Sequence, residues 1–130
     1  MPSIFTRIIN GEIPCYKVAE NQDFIAFLDI RPMTKGHTLV VPKAEVDYIF
    51  DQDDAVLAAI MPFAKRVAKA IEAIVPCNRC FIAAIGLEVP HTHLHLIPAN
   101  AMSDFNFKNH FPMSPEELAT LAKDIAEKLE

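Results

Sequence analysis

Pro90-His91-Thr92-His93-Leu94-His95-Leu96-Ile97-Pro98 is the stretch on which the reading of this chain turns. Three of the chain's five histidines alternate here with Thr92 and Leu94. Successive side chains of a β-strand point to opposite faces. A strand over 90–98 therefore puts His91, His93 and His95 on one face and sends Leu94 and Leu96 into a core. Prolines at both ends suit strand ends, because proline cannot donate to the interior of a ladder. The row has two chemical readings. One is a metal site, since neutral imidazole is a common zinc ligand. Alternate strand residues are about 6.7 Å apart, so a straight strand brings two neighbours of the row to one ion, not all three. The other is a catalytic row facing an extended anion, with imidazole acting as nucleophile, general acid or cation near neutral pH. A row matches a polyphosphate chain better than a point ion.

Composition sets the frame for this chemistry. A chain of 130 residues is read as one domain, 1–130. With 52% hydrophobic and 22% charged residues it has the makings of a sizeable core. A net charge of −5 and a pI of about 5.5 argue against nucleic-acid or anionic-membrane partners, which need a basic surface. No basic start followed by a long apolar run is present, and no apolar stretch approaches the 18 or so residues of a membrane span. A cytoplasmic location is expected. Three cysteines make no disulfide framework. Cys77-Asn78-Arg79-Cys80 is a C-x-x-C, but a thioredoxin-like motif wants a strand before it and a helix after it, and here the order is reversed. A lone C-x-x-C supplies half a zinc site.

Along the chain, Ile4, Phe5, Ile8 and Ile9 fit a short helix stopped by Asn10-Gly11 and Pro14. Tyr16 to Glu20 reads as a strand, Asn21 to Asp23 as a turn, and Phe24 to Ile30 as a buried strand. Asp29 is an acid at the end of that apolar run, read on its own as a turn former before Arg31-Pro32. Gly36 to Pro42 is the next strand, with His37 and Val41 on one side. Asp51-Gln52-Asp53-Asp54 offers N-cap candidates for a helix whose apolar positions 57, 60, 64, 67, 71 and 74 run to about Val75. Pro62 should kink or break it, Lys65, Arg66 and Lys69 form its solvated side, and Pro76 ends it. Cys80 to Ile85 is an apolar strand, and Gly86 turns the chain back into an antiparallel pair with the histidine strand. Residues 99–113 form a loop carrying Phe105, Phe107, His110 and Phe111. Ser114-Pro115-Glu116-Glu117 opens a last helix with a capping box, striped by Leu118, Leu121, Ala122, Ile125 and Leu129.

The histidine stretch resembles the signature of the histidine triad (HIT) family of nucleotide hydrolases and transferases. The likeness extends upstream, through Ile4 to Pro14, Phe27-Leu28-Asp29-Ile30-Arg31-Pro32 and Gly36-His37-Thr38-Leu39-Val40-Val41-Pro42-Lys43. It implies an α+β fold with an antiparallel sheet of about five strands, flanked by a central and a C-terminal helix. It implies a homodimer, a purine nucleotide or nucleotide conjugate as ligand, and no cofactor. By resemblance, His93 attacks the α-phosphorus, a nucleotidyl-histidine forms, and water releases the monophosphate. His95 stands near the transferring phosphoryl and leaving group, His91 supports His93, and His37 is a fourth active-site histidine. Phe5, Ile13, Phe27, Asp29, Ile30 and Leu39 are the implied nucleoside contacts, Asp29 through the ribose. His37, His95, Gly86 and Glu88 are the implied phosphate contacts. Substrates of this class are nucleoside phosphoramidates, adenylate conjugates and dinucleoside polyphosphates. The alternatives are a nucleotide-binding or signalling module with little turnover, and a zinc protein using triad histidines.

The chain departs from the family pattern at three places. Leu87 follows Gly86 where many relatives have glutamine. Cys80 stands six residues before that glycine, where many have asparagine. Losing such a donor can cost about 10²–10³ in rate. Ser3, Thr6 and Glu45 occupy the positions at which zinc-binding relatives have two cysteines and a histidine, so no structural zinc is expected.

Overall fold

The computed structural model describes residues 2–129. Strands β1 (Lys17–Glu20), β2 (Phe24–Leu28), β3 (Thr38–Pro42), β4 (Arg79–Ala83) and β5 (Leu94–Ala99) form one antiparallel sheet in the order β1-β2-β3-β5-β4. Helices α1 (Ile4–Ile9), α2 (Asp54–Ile74) and α3 (Pro115–Ala126) complete the α+β architecture.

Strand alternation sorts the sheet into two faces. Phe24, Ala26, Leu28, Val40, Leu94 and Leu96 pack against Ile60, Phe63, Val67 and Ile71 of α2 and Leu118, Leu121 and Ile125 of α3. Burying each such large side chain is worth about 1.5–3 kcal/mol, which holds both helices to this face. Ile25, Phe27, Leu39 and Val41 point the other way and pack with Phe5, Ile8 and Ile9 of α1. The expected partition of the histidine stretch follows, with Leu94 and Leu96 in the helix-side core. Ser114 and Glu117 form the expected capping box on α3. Gly11, at φ +81°, ends α1 as anticipated.

Four expectations need correction. The strand expected over 90–98 begins only at Leu94. The β3–β5 ladder stops at Val40↔Leu94, because Thr92 gives its N–H to the Val46 carbonyl at 2.7 Å instead of to β3. His91, Thr92 and His93 therefore lie just ahead of the strand. Gly36 and His37 likewise precede β3, and Asp29 and Ile30 follow the end of β2. Of the kink or break expected at Pro62, the break does not occur, and α2 runs through it. Both Pro62 and Ala58, whose carbonyl loses its partner, are exposed, so water can take the place of the missing N–H. At its start Asp53 is the N-cap, without a side-chain capping bond. Finally, β4 ends at Ala83, and residues 84–93 connect it to β5 in place of a tight hairpin.

Gly36 sits at φ +93°, and a Cβ there would lie 3.1 Å from Val75 Cγ2 and 3.2 Å from Pro98 Cγ. Gly11 shares the left-handed backbone but has open space around it. Gly11→Ala should cost about 1–2 kcal/mol of backbone strain. Gly36→Ala should cost roughly a further 1–3 kcal/mol of overpacking. Urea denaturation midpoints of the two variants check the order.

Candidate active site

Four imidazoles gather on the α1 side of the sheet, and each has its proton located by what its ring nitrogens meet. His93 places Nδ1 2.7 Å from the backbone carbonyl oxygen of His91. A carbonyl only accepts, so Nδ1 carries the proton and Nε2 keeps its lone pair. His91 places Nε2 2.7 Å from the Pro42 carbonyl and Nδ1 2.7 Å from Ser3 Oγ. Nε2 is thus its donor, and Nδ1 accepts from the Ser3 hydroxyl. Met33 donates its backbone N–H to His37 Nδ1 at 3.0 Å. That puts the His37 proton on Nε2, which lies 2.9 Å from His95 Nδ1 and donates to it. His95 therefore carries its own proton on Nε2. Neither His93 Nε2 nor His95 Nε2 has a partner among the described residues. Both reach solvent, since the one buried side-chain nitrogen or oxygen left unpaired there is Gln52 Nε2.

The result is one free lone pair, on His93, beside one free N–H, on His95, with the ring centroids 5.0 Å apart. Although His91 and His93 precede β5, the alternation still aligns their rings. Phe5 packs edge-on against both, at 5.8 and 4.9 Å. His95 faces Leu39 across the β3–β5 ladder and Ala83 across the β4–β5 ladder. Burial lowers the basicity of His37, His91 and His95, the last to about 4, where the neighbouring imidazoles His37 and His93 add to the effect.

The other expected residues distribute unevenly. Phe5, Phe27 and Leu39 form an apolar patch next to the triad, with the Phe5 and Phe27 rings 5.7 Å apart. Asp29 Oδ1 accepts from the Arg31 N–H at 2.8 Å, the turn its sequence suggested, while Oδ2 lies 3.7 Å from His37 Nε2. Ile13 is half-buried outside that patch, and Ile30 is 67% exposed. Gly86, at φ +71°, makes the turn leading back to the triad, and Glu88 is exposed. Cys80 packs against the helix-side core, across the sheet from the histidines. It therefore does not stand in for a phosphate donor, and Ala83 is the β4 residue paired with His95. Burial first, then Cys77 and Glu72, push the Cys80 thiol up to about 12, which leaves it a poor nucleophile.

Sequence reasoning missed the network behind His91. Ser3 caps α1 by accepting from the Thr6 N–H at 3.0 Å. Its own N–H and the Thr6 hydroxyl both donate to Glu45 Oε1. The spacing Ser3-x-x-Thr6 ahead of an apolar run was the available signal for the cap. Ser3, Thr6 and Glu45, the positions compared with zinc ligands in the sequence, gather around His91. Two hydroxyls tied into hydrogen bonds are poor substitutes for thiolates, so this set does not fit zinc. Asp29, His37 and His95 also converge, their ligand atoms within 4.8 Å of one another. However, a metal there needs the Nε2 lone pair of His37, and the Met33 N–H at Nδ1 obliges Nε2 to hold the proton. This set does not fit a metal either.

Above pH 6.5 His37, His91 and His95 are mostly neutral in both folded and unfolded chains. As pH falls, the unfolded chain takes up their protons first, so stability is lost progressively until about pH 4. For His95 the loss amounts to roughly 3 kcal/mol. Thermal melts from pH 7.5 to 4 should show this decline, and it should be shallower in His95→Asn.

A family model described as the HIT domain matches residues 10–102. The fission yeast Schizosaccharomyces pombe protein named adenosine 5'-monophosphoramidase hnt1 is 37% identical over 136 residues, covering 99% of each chain. A crystal structure of a Hit-like protein from Bartonella henselae superposes with a TM-score of 0.85 at 31% identity, over 98% of this chain and 96% of that one. A zinc-bound histidine triad protein from Mycobacterium smegmatis superposes at 0.80 with 28% identity, over 95% and 93% of the two chains. The family model spans most of the chain, and these relatives match nearly its whole length at up to 37% identity, so the chain belongs to the histidine triad family.

Proposed function

We propose that this chain hydrolyses nucleotide conjugates at the α-phosphorus, with nucleoside phosphoramidates and adenylate conjugates, or dinucleoside polyphosphates, as the substrate class. The observation that carries the reading is the His93 Nδ1–H held on the His91 carbonyl, which leaves the Nε2 lone pair open to an incoming phosphorus. His93 Nε2 attacks, the bond from phosphorus to the leaving group breaks, and a nucleotidyl-imidazolium forms. Its retained Nδ1–H keeps the ring cationic and the carbonyl stabilises that charge, so the ring remains a good leaving group. The leaving group takes up a proton from solvent as it departs; water then attacks phosphorus and returns a proton to solvent, and the P–N electron pair returns to His93. The His95 Nε2–H donates to the phosphoryl or to the departing atom, and His37 fixes the proton on that nitrogen. His91 acts through its backbone carbonyl, while its ring ties β3 to α1.

The base of a purine nucleotide lies on Phe5, Phe27 and Leu39, with Ile13 and Ile30 at the rim, and Asp29 accepts from the ribose hydroxyls. Gly86 brings backbone near the phosphate, and Glu88, exposed and anionic, is the weakest of the phosphate contacts. One observation favours a binding module with little turnover instead: Leu87, 90% exposed, offers no donor beside the triad. No helix among the described residues is long and apolar enough to cross a membrane, and a single cytoplasmic domain accords with this reading. The chain forms a homodimer along β4. That strand has a neighbour on one side only, and Ile82, 47% exposed, lies on it.

Two experiments test these statements. Purified chain should release AMP from an AMP-amide reporter, with the nucleotide trapped on His93 after acid quench, and His93→Ala should lose at least about 10³-fold in kcat. A nucleotide trapped on another residue, or unchanged turnover in the variant, refutes the mechanism, and absence of turnover in the wild type supports the binding module. Light scattering should report a dimer that Ile82→Glu converts to monomer. A monomeric wild type refutes the dimer.

A further inference from the structure

We propose that Phe107 forms the wall of a leaving-group subsite beside His95, and that this wall selects nucleotide conjugates whose departing half carries an aromatic or broad apolar body. The proposal rests on the reading of the site as one that cleaves at an α-phosphorus, and adds the class of leaving group.

The sequence marks 99–113 as a loop whose aromatics have no helical or strand periodicity to bury them. Its fold brings one of them to the site. After β5 the chain makes a 3-10 turn at Met102–Asp104. Asp104 Oδ2 accepts from the backbone N–H groups of Asn100 and Ala101, at 2.8 and 3.1 Å. Asn109 Nδ2 closes the loop on the Ser103 carbonyl at 3.0 Å. Phe111 donates its N–H to the Pro32 carbonyl at 2.8 Å. Pro32 precedes Met33, whose N–H orients His37, so the loop is fastened to the turn that sets the site's protons. Within it, Phe107 meets His95 edge-on, with centroids 6.1 Å apart and planes at 84°. Phe105 braces Phe107 from another side at 5.7 Å.

Phe107 is nonetheless 56% exposed. A large ring is thus held in place from two sides while more than half of it stays in water, next to the free N–H of His95. Such a surface favours an apolar ligand. Its location specifies which part of the substrate. The rings run Phe5, His93, His95, Phe107, with centroid spacings of 4.9, 5.0 and 6.1 Å. Phe5 belongs to the patch assigned to the base, and the phosphorus lies over His93. Whatever extends past the phosphorus along the row reaches Phe107. A phenyl ring offers neither charge nor donor to a further phosphate, whereas it stacks on an aromatic group.

The test compares kcat/KM for two AMP phosphoramidates, one releasing ammonia and one releasing an indolylethylamine, in wild type, Phe107→Ala and Phe107→Trp. Phe107→Ala should lower the ratio of aromatic to ammonia substrate by about three- to tenfold, the range of one aromatic pair. Phe107→Trp should preserve the ratio, and so should Phe50→Ala, an exposed phenylalanine that packs on Tyr48 and not on the aromatic row. A ratio unchanged in Phe107→Ala overturns the subsite. A fall in both rates with the ratio intact also overturns it, since the ring then serves only to support His95. If the wild type consumes neither compound, the functional reading fails by itself. Dissociation constants of the two intact conjugates for wild type and Phe107→Ala then decide the subsite by the same ratio.

Discussion

The site depends on backbone groups that decide, directly or through a neighbouring ring, where each imidazole keeps its proton. The His91 carbonyl takes the Nδ1–H of His93, and the Pro42 carbonyl takes the Nε2–H of His91. A carboxylate in either place would orient the ring as well, but it would bring a full charge into a buried setting at a large desolvation cost. A carbonyl directs the proton as a neutral dipole. The same economy recurs at His37, where a backbone N–H, from Met33, enforces the tautomer opposite to that of His93. Two neighbouring histidines thereby become chemically unlike: His93 presents a lone pair and His95 presents a proton. Their roles follow from the hydrogen bonds behind them, as the ring is the same in both.

This division of labour needs backbone positions fixed to a few tenths of an ångström, and the sheet supplies them. Leu94 and Leu96 point into the helix-side core while His95, between them, points to the site. Each apolar side chain seated against α2 thus also fixes the histidine on the other face. His91 and His93 lie outside the ladder and need other anchors. Thr92 provides one through its N–H and hydroxyl on the Val46 carbonyl. The Ser3–Glu45–Thr6 network provides another by fastening α1 to His91. Hydrogen bonding in this corner does the work of tethering a strand end to a helix start.

Features carried by local periodicity were legible in the sequence. Alternation across 91–96 gave the two faces, the apolar spacing gave α2 and α3, and Ser114 with Glu117 gave the last helix start. Features made by distant residues were not. Ser3 reaches His91 across 88 positions, and His91 reaches the Pro42 carbonyl across 49. No side-chain pattern records a bond to a carbonyl, because every residue has one. Whether Pro62 breaks α2 depends on whether the orphaned carbonyl meets water, which sequence alone does not show. Cys80 misled for a different reason. Counting residues back from Gly86 ignores strand parity, and parity puts its thiol on the helix side.

Parity also narrows what the departures from the family pattern mean. With Cys80 facing the core, the argument for a crippled phosphate site loses one of its two supports. Leu87 remains, and it removes a side-chain donor without adding a charge or a clash. The Nε2–H of His95 persists as a donor, and it does not depend on residue 87. A site so built has few side-chain donors and, at Phe107, exposed apolar surface beside His95. Under the proposed function, the apolar Leu87 and the exposed ring of Phe107 act in the same direction: discrimination rests on the shape and apolarity of the leaving group rather than on its hydrogen bonds.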